Sequence, residues 1–352
     1  MKTYGIYVYG TGRYASAFLH YANDILDTIS GFIETVKTKN KFMGKPVYTP
    51  DEIGDCDLLI VASQFVYDIK AELYRHNFNL EKAVFLSKAW IPAKINDGRI
   101  VFEFDKHRET PYESCVFFDL TGVYATSREL ADFYEKSLSA KDMWNRIPQY
   151  DTQIQAPHIS GHQRLMLEQC FIPYLTEKDR ICDIGCASGE WSRFLSPYVQ
   201  EIDGFDISAS LTDTAKMLSR DYGFTNLNYT CMDVSQNSPE SVYDAALMLS
   251  VGIYLEEDRF GRLAASVGKI VKEGGYLAVR DTVTMYTKEN IWLVRKGTDH
   301  IFSDYRARYP QMKKFEESFT DNGFKMIEER YFCSYMHEPM ELGSHGWIFQ
   351  RL

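Results

Sequence analysis

The sequence predicts an α/β chain with two doubly wound layers, on three observations. An apolar strand beginning at Tyr4 runs straight into a glycine turn at Gly10 and Gly12 and then into a helical stretch. Between residues 180 and 283, short apolar strands alternate with helical segments, the pattern of a parallel sheet covered on both faces. The chain has 352 residues, too many for one core of usual size, since cores stop growing at roughly 250 residues.

Taken in order, the first strand ends at Gly10, and Gly12 and Ala15 lead into a helix over 16–26. A second strand fits 29–35. Glu34 near its end stands where an acid meets a ribose in a dinucleotide-binding βαβ unit, so this layer is Rossmann-like. Strands at 57–62 and 83–86 follow, with a helix over 67–75 between them. Residues 96–155 carry Pro111, Pro148 and short polar runs and read as an extended connection with one or two helices, including 127–137. Helical periodicity returns over 158–175. Strands are then expected at 180–184, 201–206, 227–232, 243–249 and 275–281, with helices at 190–196, 210–222 and 257–271. Two last strands, 324–332 and 346–351, fit an antiparallel hairpin that closes the second sheet. The domain reading is 1–95, a linker over 96–155, and 156–352.

Composition removes several classes of function. With 45% hydrophobic, 25% charged and 14% aromatic residues the chain is neither disordered nor fibrous. No apolar run approaches the roughly 18 residues that span a bilayer, and the N-terminus has no signal-peptide core, so a cytoplasmic chain with no membrane partner is expected. Its 7 cysteines, an odd number scattered through apolar segments, suit reduced core thiols; Cys182 and Cys186 have no second Cys/His pair nearby, and no metal site is expected. The 49 acidic against 39 basic residues give a net charge of −10, which disfavours nucleic acid as a partner.

The sharpest chemical signal is the run Asp183, Ile184, Gly185, Cys186, Ala187, Ser188, Gly189 at a strand-to-helix turn. Glycines there let backbone approach a ligand, and the helix start offers unpaired N–H groups. Asp183 can orient that turn or hold an ammonium group. Asp206, 17 residues beyond Gly189, ends the next strand, where a carboxylate can accept from vicinal ribose hydroxyls. Asp233 ends the third strand, where it can accept from an adenine amino group.

These spacings resemble the class I S-adenosylmethionine-dependent methyltransferases, whose first motif reads D-x-G-x-G-x-G, over about residues 155–352. Ala187 departs from it, standing where the middle glycine usually lies. The resemblance implies a seven-stranded sheet, S-adenosylmethionine as cofactor, and cofactor contacts from Gly185, Cys186, Ala187, Gly189, Asp206, Ile207, Asp233, Val234, Leu249 and Ser250. Methyl transfer needs an aligned acceptor and, for a hydroxyl or ammonium, a base. Candidates at the strand ends are Tyr254, Asp281 and His345, with Asp281 best placed. A helix cap or partner for Arg280 is the structural alternative for Asp281, and a loop histidine for His345. His158 and His162 are taken as lid or packing residues and Arg164 as a contact to the cofactor carboxylate.

The acceptor expected is a small molecule. The Asn/Asp-Pro-Pro-Tyr pattern of adenine and glutamine N-methyltransferases is missing after the fourth strand, and residues 151–352 hold 21 Lys and Arg against 29 Asp and Glu. Arg295, Lys296, Arg306 and Arg308 can pair with a phosphorylated or otherwise anionic acceptor, with a solvated charged face as the alternative. The first layer, through Gly10, Gly12, Arg13 and Glu34, is similar to nucleotide-binding domains that precede catalytic domains in bacterial sugar-modifying enzymes. That implies a docking module for a nucleotide sugar, with homodimerisation as the structural alternative. Three readings remain: a methyltransferase acting on a sugar-linked or phosphorylated metabolite, a non-catalytic two-domain nucleotide-binding scaffold, and a bifunctional enzyme with NAD-dependent chemistry in its first domain.

Overall fold

The computed structural model describes residues 5–53, 56–104, 114–119, 122–134, 157–285, 290–295, 305–335 and 342–352. The chain divides into two compact units, one made mostly of Met1–Lys136 and Ile291–Lys296, the other of Ser137–Asn290, Gly297–Met336 and Met340–Leu352.

The first unit holds two sheets. Strands β1 (Ile6–Tyr9), β2 (Ile29–Ile33), β3 (Lys41–Phe42), β4 (Lys45–Tyr48), β5 (Leu58–Val61) and β6 (Ala83–Phe85) form one in the order β3-β4-β2-β1-β5-β6. It is parallel except for the short β3–β4 pair, and helices α1 (Arg13–Tyr21), α2 (Pro50–Ile53) and α3 (Val66–Arg75) lie along its connections. Val8, Phe18, Phe32 and Ile60 meet in its core. The second sheet joins β7 (Ile91–Asn96), β8 (Arg99–Phe102), β9 (Cys115–Asp119), β10 (Gly122–Ala125) and β16 (Ile291–Arg295), antiparallel throughout, followed after β10 by helix α4 (Arg128–Tyr134). The segment read as a connection therefore supplies three strands of a sheet. Two of them, β9 and β10, are buried on both faces, so they lack the polar/apolar alternation that betrays a half-exposed strand, β8 is only four residues long, and β16 pairs with β10 across more than 160 residues of sequence. The expected helix over 127–137 is α4; residues 135–156 lie outside the described part.

The second unit is built on one sheet of seven strands, β11 (Arg180–Ile184), β12 (Glu201–Asp206), β13 (Leu227–Cys231), β14 (Tyr243–Leu249), β15 (Val271–Thr284), β18 (Phe324–Tyr335) and β19 (Leu342–Arg351), in the order β13-β12-β11-β14-β15-β19-β18. The first five are parallel and the last two antiparallel, as the closing hairpin predicts. Strand β17 (Tyr305–Tyr309) follows β16 along the chain, and helices α5 (Pro157–Met166), α6 (Glu190–Leu195), α7 (Ala209–Asp221), α8 (Glu257–Ile270) and α9 (Met312–Thr320) complete the described elements. α8 shows why the layers adhere: Phe260, Leu263, Ala264, Val267 and Ile270 recur at helical spacing and bury one face. They pack with Leu277, Val279, Phe315 and Trp347, and each large side chain so buried contributes roughly 1.5–3 kcal/mol. The opposite face carries Met166, Leu167, Phe171 and Ile348. No helix among the described residues is long and apolar enough to cross a membrane.

Candidate functional site

The second unit opens a cleft of about 770 Å³ at the carboxyl ends of its central strands. Gly185 and Ala187 come from the turn after β11, Asp206 and Ile207 from the end of β12, Asp233 and Val234 from beyond β13, and Leu249, Ser250 and Tyr254 from beyond β14. Parallel strands aim their ends the same way, so residues far apart in sequence converge at one edge.

The turn itself is built for this. Gly185 has φ +75, and a Cβ there would lie 2.4 Å from Val251 Cγ2. Ala187 also takes a left-handed conformation, φ 45, a position glycine fills without cost and alanine fills at about 1 kcal/mol. Its N–H donates to Asp206 Oδ2 at 3.0 Å, which ties the turn to the neighbouring strand. Gly189, φ +77, starts α6, and a Cβ there would lie 2.4 Å from the Tyr229 hydroxyl. Glycine at 189 answers to packing, and Gly189 does not line the cleft.

The three acids expected at the site differ in what they have left to offer. A carboxylate has about four lone-pair sites. Asp206 lines the cleft and accepts from the N–H groups of Ala187 and Ser208, at 3.0 and 2.8 Å, with Ile207 N–H a third backbone donor, which leaves it less filled than Asp233. Burial raises its pKa against those hydrogen bonds. Asp233 also lines the cleft but is occupied. Its Oδ1 accepts from Ser235 N and Oγ, and its Oδ2 from Gln236 Nε2 and, at 2.6 Å, from Arg259 Nη2. Four donors fill it, so Asp233 fixes the Val234 turn, and the expected acceptance from an adenine amino group requires one of those donors to leave. Asp183 lies off the cleft, buried, accepting from Ser192 Oγ at 2.6 Å, and burial pushes its carboxyl up to about 7. It holds the start of α6. Cys186 is off the cleft too, its side chain packed with Ala215 and Tyr229.

Ser250 is the second non-glycine residue held left-handed here, φ 57. Its Oγ receives Arg280 Nη1 at 2.7 Å and Gln163 Nε2 at 3.3 Å, so helix α5 and strand β15 both fasten it. Among the base candidates, Tyr254 lines the cleft. Asp281 does not: it is 0% exposed, its Oδ2 accepts from Gly252 N–H at 2.7 Å and its Oδ1 from Thr282 N–H at 3.0 Å. Burial pushes it up to about 6. Its carboxylate anchors the turn after β14 and is absent from the cleft wall, where its expected placement put it, because the Gly252 and Thr282 amides engage it. His345 sits within β19 and not in a loop, opposite Asp281, 3% exposed, with Nδ1 3.2 Å from Glu329 Oε1.

Of the cations, Arg164 pairs with Glu168 at 2.8 Å and stacks over Phe194. Arg306 lies 3.6 Å from Glu256, and Arg308 is buried over the Phe260 ring. The side chain of Arg295, and Lys296, fall outside the described residues, as does the side chain of His158; His162 stacks on Phe332. Sequence reasoning passed over Met232, Ser235, Val251, Leu255 and Leu263 in the cleft wall, and Gln163. Leu263 is marked by the α8 periodicity, but nothing in the sequence singles out Gln163, which acts through a fold contact 87 residues away.

In the first unit, Gly10 has φ +116 and a Cβ there would lie 2.8 Å from Ala62 O, so β1 and β5 converge only over glycine. Gly12 caps α1 with nothing within 4 Å of an added Cβ, and Arg13 beside it is exposed. Glu34 is committed within its own loops: it accepts from Thr11 Oγ1, from Thr38 N at 2.7 Å and from Thr38 Oγ1.

Residues 181–275 match the family model for a methyltransferase domain. No curated protein matches the chain. Among solved structures, the chain is similar to the PH0226 protein from Pyrococcus horikoshii at 15% identity over 59% of this chain and 98% of that one, with a TM-score of 0.46. A S-adenosylmethionine-dependent methyltransferase from Clostridium acetobutylicum matches at 16% over 57% and 96%, TM-score 0.45, and geranyl diphosphate C-methyltransferase from Streptomyces coelicolor at 11% over 55% and 77%, TM-score 0.43. The matched stretch falls within the second unit and includes the strands that form the cleft. The cleft suits S-adenosylmethionine: the Asp206 carboxylate at the end of β12 is placed to meet vicinal hydroxyls, and Met232, Val234 and Leu263 offer an apolar slot for a purine.

Proposed function

We propose that the chain is a class I enzyme that transfers the methyl group of S-adenosylmethionine to a small, sugar-linked or phosphorylated acceptor in the cytoplasm. The observation that carries the reading is the Asp206 carboxylate, fixed by backbone N–H groups at the end of β12 and lining a cleft with an apolar wall. Once bound, the cofactor supplies a methyl carbon already activated by its sulfonium. The chain's part is to hold Gly185, Ala187 and Ser250 in the conformations that shape the cleft floor, and to exclude water behind Leu249, Val251 and Leu255. The acid excess supports a small acceptor over nucleic acid, and the described cysteines, all free, suit a reducing compartment. Calorimetry tests it directly: S-adenosylmethionine binds the wild type and binds Asp206→Ala at least tenfold more weakly. No binding by the wild type, or unchanged binding by the variant, overturns the reading. Release of S-adenosylhomocysteine across sugar phosphates, nucleotide sugars and hydroxy acids then identifies the acceptor.

For the first unit we propose a docking role for the nucleotide of such an acceptor. The open space over Gly12 beside exposed Arg13 supports this; Glu34, whose bonds are internal, is left out of it. UDP-glucose binding that is lost in Gly12→Asp is the expected result, and binding equal in the two proteins rejects it.

A further inference from the structure

Helix α3 carries apolar side chains on two faces. Val66, Ile69 and Leu73 are buried, and Ile69 and Leu73 pack with Tyr7, Leu59 and Ala83. A helix with one such face turns polar residues to water on the other. On α3 that other side presents Tyr67, 83% exposed, and Tyr74, 67% exposed, with Phe65 just before the helix 60% exposed. At 3.6 residues per turn, positions 67, 71 and 74 fall along one line, so the two tyrosines stand two turns apart with the exposed Ala71 between them. A single exposed ring is ordinary, whereas three within ten residues make a patch. The small Ala71 lets a second helix approach to roughly 8–10 Å between axes while the rings close around it.

The charges on this face select the occupant. Asp68 and Arg75 are exposed on the same flank of the tyrosine line, one in the first turn of the helix and one in the last. A second α3, turned over by a two-fold axis close to Ala71 and perpendicular to both helices, keeps that flank on the same side and reverses its order. Tyr67 of each copy then meets Tyr74 of the other, and Asp68 of each comes beside Arg75 of the other, so every pairing is made twice. A parallel pair would put the two flanks on opposite sides and match neither charge. Arg75 Nη1 already meets Glu72 at 2.7 Å, but a guanidinium has five N–H donors and can serve a second carboxylate. Lys70, on the opposite flank, has its Nζ 4.9 Å over the Phe85 ring of its own chain, which draws it away from the axis.

We infer that the exposed face of α3 is an interface between two copies of this chain, paired antiparallel about a two-fold axis close to Ala71. The inference goes beyond the methyltransferase and nucleotide readings, since no cleft residue and neither Gly12 nor Arg13 lies on α3. The area suits a reversible pair. Counting roughly 200 Å² for a whole aromatic side chain, the exposed rings offer about 400 Å² on each copy, and the pair with its flanking residues about 1,000 Å², at the lower end of specific interfaces. The dissociation constant expected is therefore on the order of 10 µM.

Sedimentation equilibrium of the full-length chain between about 1 and 200 µM tests this, and the expected result is a monomer–dimer equilibrium in that range. Tyr67→Glu weakens the dimer by more than about tenfold, and Ala71→Glu, which leaves the rings in place, does the same. Asp68→Arg and Arg75→Asp each set like charges together twice and weaken it by about tenfold, while the chain carrying both exchanges recovers the wild-type affinity within about threefold. All four positions are exposed, so the variants keep the wild-type circular dichroism. A wild type that stays monomeric throughout overturns the proposal and leaves the face to a different partner. A dimer that neither Tyr67→Glu nor Ala71→Glu weakens places the interface elsewhere, and failure of the double exchange to restore what the single ones lose overturns the antiparallel pairing.

Discussion

Two turns in this chain begin alike and end differently. Each runs from a parallel strand through glycines into a helix, and each is followed by an acid at the end of the next strand. In the second unit Asp206 accepts only backbone N–H groups and faces a cleft. In the first, Glu34 closes on Thr11 and Thr38. The motif places an acid; its remaining hydrogen-bond capacity decides whether a ligand can use it.

The largest expected break in that contrast is Asp206→Ala. Losing a charged acceptor for two ligand hydroxyls, at about 1.5–3 kcal/mol each, weakens S-adenosylmethionine on the order of a hundredfold or more by calorimetry, whereas Glu34→Ala leaves it unchanged. Next in size is the glycine pair. Gly189→Ala puts a methyl against the Tyr229 hydroxyl at φ +77 and should cost about 2–3 kcal/mol in urea unfolding. Gly12→Ala, in open space at φ −90, should cost less than about 1 kcal/mol, the ordinary range for a helix cap. A result in which both cost the same dissolves the distinction between the turns.

A third test uses pH. Asp183 ionises at about 7 in the fold against an ordinary value near 4, so the native state retains a proton that the unfolded chain releases. The stability from this group is present below pH 4 and falls as pH rises toward 7. Asp183→Asn, which can still accept from Ser192 and has no charge to bury, should flatten the dependence of unfolding free energy on pH over that window. An unchanged slope places the cause elsewhere, Asp281 first, since it is pushed up in the same sense to about 6.

How much was legible follows the range of the interactions. Strands β11, β12 and β14 begin and end where the pattern puts them, because each is a short apolar run bounded by its own turn residues. The acids of the candidate site were legible as positions, since a strand end is a local event. Their occupancy was not: Asp233 is filled in part by Arg259 from α8, a partner 26 residues on that no spacing rule marks. Asp281 illustrates the same limit. Its strand is readable, but β15 continues three residues further and its carboxylate turns to the Gly252 amide. His345 read as a loop residue because Gly343, Ser344 and Gly346 surround it; glycine is poor in strands, yet β19 is held between β15 and β18 and tolerates it.

The strand Ile291–Arg295 gives the sheet of the first unit an awkward birth. Its neighbour in that sheet, β10, leaves the ribosome about 170 residues earlier. At roughly 5–20 residues per second the edge of β10 waits about ten seconds or longer for its partner, while most of the other unit is being made. The sheet is thus finished late, and a gene cut after residue 136 would encode a first unit with a permanent open edge, ready to pair with the wrong chain. The two units cannot be exchanged as cassettes, and any hybrid built from this protein must carry that strand with the half it completes.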